Sequence, residues 1–407
     1  MMCDLPHAFW NVYMRTSPHF ILIFILGAIS ALTPLAIDMY LPAMPTIADD
    51  LGVTASAVQI TLTTYTAGFA IGQIFFGPLA DTFGRKPVLI GGIAFFAVAS
   101  VFCAFSKGIV ELTWIRGIQG FAGAAAAVIV QALVRDMFER DDFARTMSFI
   151  TLVMTVAPLI APLIGGYVAV YLGWQAIFTG LALFSCVIIV AVIIKIPETL
   201  SVENRQPLKI STTLRNYYYL LKSPVAIGYI FCGAFSFAGM FTFLTAGPFV
   251  YIDYYGVSPE HFGYLFGLNV VCLIIFTTFN GRMVKKLGSH NMLRIALTIQ
   301  FTAGVLLILG QVFELGLWGT VIPVMMYVGI ISIIGSNTMA CLLNGYPQMA
   351  GTASAIAGTL RFGTGTVVGA IIAIIPDSTP LPMALTMAIC ALISAGFYWL
   401  LALRYEK

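Results

Sequence analysis

The chain has 407 residues, of which 60% are hydrophobic and only 9% charged, and its net charge is +3. A soluble chain carries about 25% charged residues, so this composition excludes one and indicates an integral membrane protein. The 38 glycines and 19 prolines agree, since both are commoner in membrane helices than in soluble ones.

A bilayer span takes roughly 20 apolar residues. On that rule the sequence predicts twelve helices, at 19–41, 57–79, 88–106, 110–132, 146–170, 174–195, 224–251, 261–281, 291–312, 317–342, 351–375 and 381–403. The fold class expected is all-α integral membrane, with 12 transmembrane helices in two six-helix pseudo-symmetric halves. The domains follow: a tail at 1–18, a first bundle at 19–196, a linker at 197–223, a second bundle at 224–403 and a tail at 404–407. The first apolar run is long enough to span and no small-residue cleavage site follows it, so no cleavable signal peptide is expected. Met14 is an alternative translation start.

Orientation follows from the lysines and arginines. With the N-terminus cytoplasmic, all of them except Lys107 and the in-span Arg116 and Arg361 fall on the inner side. The outer loops instead hold acids such as Asp49, Asp50, Asp253, Glu260, Glu314 and Asp377. Both termini are expected inside.

The spans are not equivalent. The third, sixth, ninth and twelfth are apolar all round and can face lipid. The other eight carry Asp38, the Thr61–Tyr65–Gly68–Gly72 face, Arg116 with Gln119, Pro158 with Pro162, Ser236, Asn269, Asn337 and Arg361. Such side chains must face protein or a watery cavity. Two-fold repetition with a polar interior shared by eight helices suggests a transporter with its site between the halves.

Three full charges lie within spans: Asp38, Arg116 and Arg361. Each costs about 2.5–3.5 kcal/mol on insertion scales, so a functional role is the default, with a fixed ion pair as the alternative. Asp38 and Arg116 each lie within about 10 Å of the outer ends of spans one and four, so they can meet if those spans are neighbours. Burial raises a carboxylate's pKa whereas a guanidinium lowers it, and a carboxyl balanced between them can load and release a proton. Asp38, the one in-span carboxylate, is therefore expected to couple to protons. Arg361, about 15 Å deep in span eleven, offers five fixed donors to a substrate carbonyl or hydroxyl, or makes a structural link to a backbone carbonyl. Phe237, Met240 and Phe241 at helical spacing either line an adaptable apolar pocket or simply pack.

One loop returns at half the chain length. Gly77 and Gly84 flank Asp81 and precede Arg85, and Gly281 and Gly288 repeat the glycine pair 204 residues later. The first copy is expected as a short loop that acts as a conformational gate: Asp81 meets the N-terminus of span eleven near Gly351, and Arg85 pairs with Asp136. Pro158, Pro162, Gly165 and Gly166 in span five, matched by Gly363, Gly365 and Gly369 in span eleven, are expected to form a hinge or helix–helix seam.

The seven cysteines are scattered without a CxxC pair and read as small apolar core residues, while His7, His19, His261 and His290 stand alone. No metal and no cofactor is expected. There is no GxxxxGK[ST], HExxH or GxSxG, so no enzyme is expected and transport is driven by a gradient or runs downhill.

The run from Gly77 to Lys86 resembles the loop-two/three motif of the major facilitator superfamily, G-x-L-a-D-x-x-G-R-K, without gaps. Arg116-Gly117-Ile118-Gln119-Gly120 is similar to that superfamily's span-four motif, and Ala157-Pro158 through Gly165-Gly166 to its antiporter motif, with Ala where Gly often precedes the first proline. The segments 37–45, 235–241, 247–252 and 349–354 resemble the bicyclomycin-resistance (Bcr/CflA) branch of the drug:proton antiporters. The resemblance implies a proton-coupled exporter of bicyclomycin, chloramphenicol or sulfonamide-type compounds in the bacterial inner membrane, with Asp38 and Arg116 handling proton and substrate. Substrate contacts are expected from Asp38, Tyr65, Arg116, Gln119, Phe237, Met240, Phe241, Asn269, Asn337 and Arg361. The expected partners are drug, protons and the lipid bilayer, with no nucleic acid, and the protein is expected to be a monomer. A proton-coupled metabolite or amino-acid carrier and a transport-inactive sensor are the alternatives.

Overall fold

A computed structural model describes residues 19–138, 140–205, 215, 218–375 and 379–405, and among them every regular element is helical. The expectations for the tail at 1–18, for Met14, for most of the linker core including Lys209, and for Asp377 and Lys407 lie outside the described residues.

The first half comprises α1 (His19–Asp38), α2 (Ala55–Phe83), α3 (Arg85–Phe105), α4 (Ile109–Met137), α5 (Arg140–Leu172) and α6 (Gln175–Lys195). The second half opens with α7 (Pro224–Phe249). The 54-residue stretch Pro259–Val312 is two helices, α8 and α9, because Gly288 breaks it with φ 77° and ψ 159°. There follow α10 (Gly316–Gly329, resumed as Ile331–Gly345), α11 (Ala350–Ile374) and α12 (Leu381–Phe397). Among the described residues, ten stretches are long and apolar enough to cross a bilayer. The α8–α9 stretch supplies one crossing more, and α2, as long at 29 residues, is diluted by Gln59, Thr61, Thr63, Thr64, Thr66 and Gln73. At 1.5 Å per residue α2 and α4 reach about 43 Å, beyond a hydrocarbon core of about 30 Å, so their ends stand in the headgroup region.

The expected loop at 77–87 is almost entirely helix. Only Gly84 leaves the helical region, at φ 103° and ψ 153°, between the end of α2 and the start of α3. Its repeat partner Gly288 has nearly the same conformation, left-handed in φ and extended in ψ, which favours glycine. The two-fold repetition read from spacing is thus repeated in backbone geometry.

Lipid removes the usual hydrophobic drive between helices, so packing and internally satisfied polar groups hold the bundle. Hydroxyls inside the helices donate back one turn: Ser30 to Leu26 O at 2.9 Å, Thr63 to Gln59 O at 3.1 Å, Ser100 to Phe96 O at 2.8 Å and Thr242 to Ala238 O at 3.1 Å. Outward faces are apolar; on α6, Leu183, Val187, Val190, Ile193 and Ile194 are all exposed. Between the halves, α2 packs on α11 and α5 on α8.

Candidate functional site

The α5–α8 seam closes one end of the space between the halves. A Cβ added at Gly166 would lie 2.6 Å from Pro259 O, and one at Gly263 would lie 2.7 Å from Leu163 N. One turn on, Gly267 faces Leu159 Cδ1 at 3.1 Å, so Gly263-xxx-Gly267 is a small-residue face that admits α5. The neighbouring Gly165 presses on Met39, the residue after Asp38, with its Cβ position 2.2 Å from Met39 O. The glycine pair of α5 therefore touches the end of α1 on one side and α8 on the other. Tyr167 and Tyr264 add a hydroxyl–hydroxyl contact of 3.3 Å at the same end. Pro158 and Pro162 lie along the same helix, Pro158 on the cavity and Pro162 buried.

At the opposite, basic end the ion pairs among the described residues stay inside the first half. Arg85, buried, pairs with Asp81 at 2.6 Å and Asp136 at 3.3 Å. Glu198, just past α6, accepts from the backbone N–H of Arg85 at 3.0 Å and of Lys86 at 3.3 Å, and so caps the start of α3. Gly84 leaves room for it: a Cβ there would lie 2.4 Å from Glu198 Oε2. Asp81 does not reach α11 in this conformation, and nothing lies within 4 Å of a Cβ built at Gly351. Gly77, expected in the gate, is an ordinary helical residue, where an added Cβ would lie 3.8 Å from Val128 Cγ1 in ordinary contact. Nothing in the sequence marked Glu198, because its partners are 112 and 113 residues away.

Between these ends lies a cavity of about 610 Å³ lined by α1, α2, α4, α5, α7, α8, α10 and α11. These are the eight helices singled out by their polar residues; α3, α6, α9 and α12 contribute nothing to it. Asp38, Phe237, Met240, Asn269 and Arg361 stand on its wall. Asp38 ends α1, and no ion pair or hydrogen bond engages it among the described residues. The amide of Asn269 is buried with neither atom partnered. Arg361 lies with its guanidinium carbon 4.5 Å from the centre of the Phe237 ring. The wall is otherwise mostly apolar. Phe362 stands edge-on to Phe69 at 4.6 Å and to Phe237 at 5.0 Å, bridging the halves. Phe69, Gln73, Met147, Met154, Phe266 and Phe362 also line the cavity and escaped sequence reading. Phe362 alone had a usable signal, its place beside Arg361.

Five expected contacts, Tyr65, Arg116, Gln119, Phe241 and Asn337, stand back from the cavity wall. Arg116 is fully buried, with its guanidinium carbon 4.6 Å from the Tyr40 ring centre, 4.3 Å from that of Tyr65 and 5.6 Å from that of Phe178. It donates to Gln119 Oε1 at 2.6 Å, and Gln119 in turn donates to Ser100 Oγ at 2.7 Å. A desolvated cation–π contact is worth about 2 kcal/mol, so this aromatic enclosure offsets much of the cost of burying the charge. Arg116 and Asp38 make no ion pair within 4.0 Å. Phe241 is buried behind Phe237, their rings 6.4 Å apart. Asn337 is spent on Asn280 Oδ1 at 2.9 Å and Ile333 O at 2.8 Å.

The profile of the Major Facilitator Superfamily matches residues 26–370. The chain belongs to that superfamily. It is 43% identical to a bicyclomycin resistance protein homolog of Haemophilus influenzae, covering 95% of this chain and 98% of that one. It is 31% identical to a chloramphenicol resistance protein of Pseudomonas aeruginosa, over 92% and 89% respectively. A solved D-xylose-proton symporter superposes with a TM-score of 0.77 over 95% of this chain and 98% of the symporter, at 14% identity. That last likeness speaks for the fold alone. As a member of the Major Facilitator Superfamily the protein is a multi-pass membrane transporter and not an enzyme.

Proposed function

We propose that this transporter exports drugs of the bicyclomycin, chloramphenicol or sulfonamide type across the bacterial inner membrane in exchange for protons, with both termini in the cytoplasm. One observation carries the reading: an unpaired carboxyl, Asp38, stands on the wall of a cavity large enough for such a compound, in a chain whose relatives are named for resistance to bicyclomycin and chloramphenicol. With the basic end cytoplasmic, the conformation described is the inward-facing one, sealed outside by the α5–α8 seam.

The cycle follows from that geometry. A compound enters from the basic end and lies against Phe237, Met240 and Asn269, while Asp38 is ionised. Opening of the outer end presents Asp38 to periplasmic protons, and its protonation accompanies release. Gly165, packed on Met39, ties the state of the α1 end to the helix that forms the seam. Arg116 does not touch cargo in this proposal; with Tyr65 and Gln119 it fixes the wall behind Asp38. Exchange of one proton for a neutral compound moves one charge, worth about 2.3 kcal/mol per 100 mV. The gate residues Gly84, Asp81, Arg85 and Asp136 hold the α2–α3 junction for the outward-facing state.

The test is transport by the purified protein in proteoliposomes with an imposed pH gradient. The unaltered protein accumulates chloramphenicol when the gradient is present and loses that accumulation when it is collapsed. Asp38→Asn binds the compound but shows gradient-driven uptake at background. Full coupled transport by Asp38→Asn sinks the reading.

A further inference from the structure

Arg361 faces two spaces. Besides the main cavity it borders a chamber of about 70 Å³ inside the second half, between α7, α10 and α11. Gly233, Gly335 and Gly358 contribute to its walls, with Tyr229 and Thr338. Arg361 is the one residue shared by the linings of the chamber and the cavity. A Cβ at Gly335 would lie 3.7 Å from Arg361 Nη1, so it is the absence of a side chain there that leaves the space beside the guanidinium open. A chamber of this size holds a few waters or one small polar group, and not a whole drug molecule.

The donors of Arg361 are uncommitted. Its Nε is sealed from solvent and has no hydrogen-bond partner, and no ion pair engages the side chain among the described residues. Phe237 holds the guanidinium plane from one side at 4.5 Å but accepts none of its hydrogens in a conventional bond. Arg116 also leaves Nε and Nη2 unpartnered, but it is boxed by three rings, donates to Gln119 and lines neither space, so no cargo acceptor can reach it. A sealed donor left open, as Nε is, is costly until an acceptor arrives, and five donors in a fixed fork suit oxygen acceptors best.

We infer that Arg361 and the chamber beside it form an acceptor subsite. The cargo is uncharged or anionic and carries an oxygen acceptor, such as an amide carbonyl, a sulfonyl, a nitro group or a carboxylate. That group seats at the guanidinium, and the apolar body lies against Phe237, Met240 and Phe362. The inference rests on the export reading above and narrows its substrate class. Charge enforces the same choice. Asp38 and Arg361 are the two ionisable residues on the cavity wall, one from each half. When Asp38 is ionised the two charges offset each other, and when it is protonated the cavity is left positive. A permanent cation is attracted in neither condition, whereas an oxygen dipole facing Arg361 gains in both.

The test measures dissociation constants on the full-length protein in lipid nanodiscs, using chloramphenicol, sulfathiazole and tetraphenylphosphonium. The unaltered protein binds the first two more tightly than the third. Arg361→Met keeps the packing on Phe237 but removes the donors, and it weakens chloramphenicol and sulfathiazole about tenfold or more. Gly335→Val fills the chamber while leaving the guanidinium in place, and it weakens the same two compounds. Tetraphenylphosphonium binds Arg361→Met more tightly than the unaltered protein. Acceptor compounds bound within twofold of the unaltered value by both variants overturn the subsite while leaving the export reading standing. Tetraphenylphosphonium bound by the unaltered protein as tightly as chloramphenicol overturns the substrate class. An unaltered protein that binds none of the three compounds removes the export reading and this inference together.

Discussion

At one end of the interhalf space, Gly166 lies against Pro259 and Gly263 against Leu163, backbone to backbone across the two halves. At the other end, Asp81, Arg85, Asp136 and Glu198 hold one another within the first half. The closed end is held by fit, which depends on the absence of side chains and is indifferent to ions. The open end is organised by charge: Arg85 is buried, but its partners Asp81 and Asp136 are 49% and 21% exposed, so water reaches the pairs and salt weakens them. Alternating access requires the fit to be given up at one end while contacts of comparable worth form at the other. A population moves tenfold for each 1.4 kcal/mol, so small terms at the basic end are enough to set the resting state.

The contrast breaks most visibly at Gly263. Its added Cβ would lie 2.7 Å from Leu163 N and 2.8 Å from Leu163 Cα, atoms that cannot move away without displacing α5. Gly263→Leu is therefore expected to pry the seam open, at an overpacking cost of about 1–3 kcal/mol or more. A cysteine probe placed at Phe266, buried on the cavity wall beside the seam, gains reactivity toward a membrane-impermeant reagent from the outer side, and export stops. Unchanged labelling together with normal export shows that the seam is not the closure.

The seam also marks the limit of what the sequence disclosed. The eight cavity-forming helices were legible, because a polar residue in a bilayer span must face protein or water, and Asp38, Asn269 and Arg361 obeyed that rule. The Arg85–Asp136 pair was legible through its motif and its charges, whereas Asp81, expected at the start of α11, pairs with Arg85 instead. The depth of Arg116 was legible but its direction was not. A helix rotation of one residue decides whether a side chain meets the cavity or Tyr40 and Tyr65, and apolar runs without strong periodicity do not fix that rotation. Glu198 was invisible because its partners are distant in the chain and its own surroundings read as linker. Gly263-xxx-Gly267 was readable as a small-residue pair, but its partner α5 is set by tertiary packing.

A smaller effect is expected at Asp81, which is half exposed and pairs with Arg85 in this conformation without reaching the other half. If its second task is to meet the start of α11 when the basic end closes, with its pair to Arg85 kept in both states and so cancelling between them, Asp81→Asn removes a charge–dipole term of about 0.3–1 kcal/mol from the closed state alone. The population then moves roughly twofold to fivefold toward the conformation described here. Outer-face cysteine probes become less reactive by that factor, with chloramphenicol affinity measured in the inward-facing state unchanged. Probe reactivity that does not change removes the latch role and leaves Asp81 as a local partner of Arg85.

The smallest effect sharpens the comparison at Glu198. Its carboxylate accepts from Arg85 N and Lys86 N at the first turn of α3 and from its own neighbour Leu200 N at 3.0 Å. Glu198→Gln keeps one acceptor oxygen of similar shape but loses the negative charge facing a helix N-terminus. The expected loss is about 0.5–1 kcal/mol. Transport persists, since no contact of Glu198 reaches the cavity, but the amides of Arg85 and Lys86 exchange with deuterium severalfold faster. Raising the ionic strength from about 0.1 M to 1 M shortens the screening length from about 10 Å to 3 Å. The unaltered protein should then approach Glu198→Gln in its Arg85 and Lys86 exchange, while amides along the Gly263–Leu163 seam keep their low-salt rates. Equal salt sensitivity at both places would mean that the two ends are held by the same kind of force, and that the division between fit and charge is wrong.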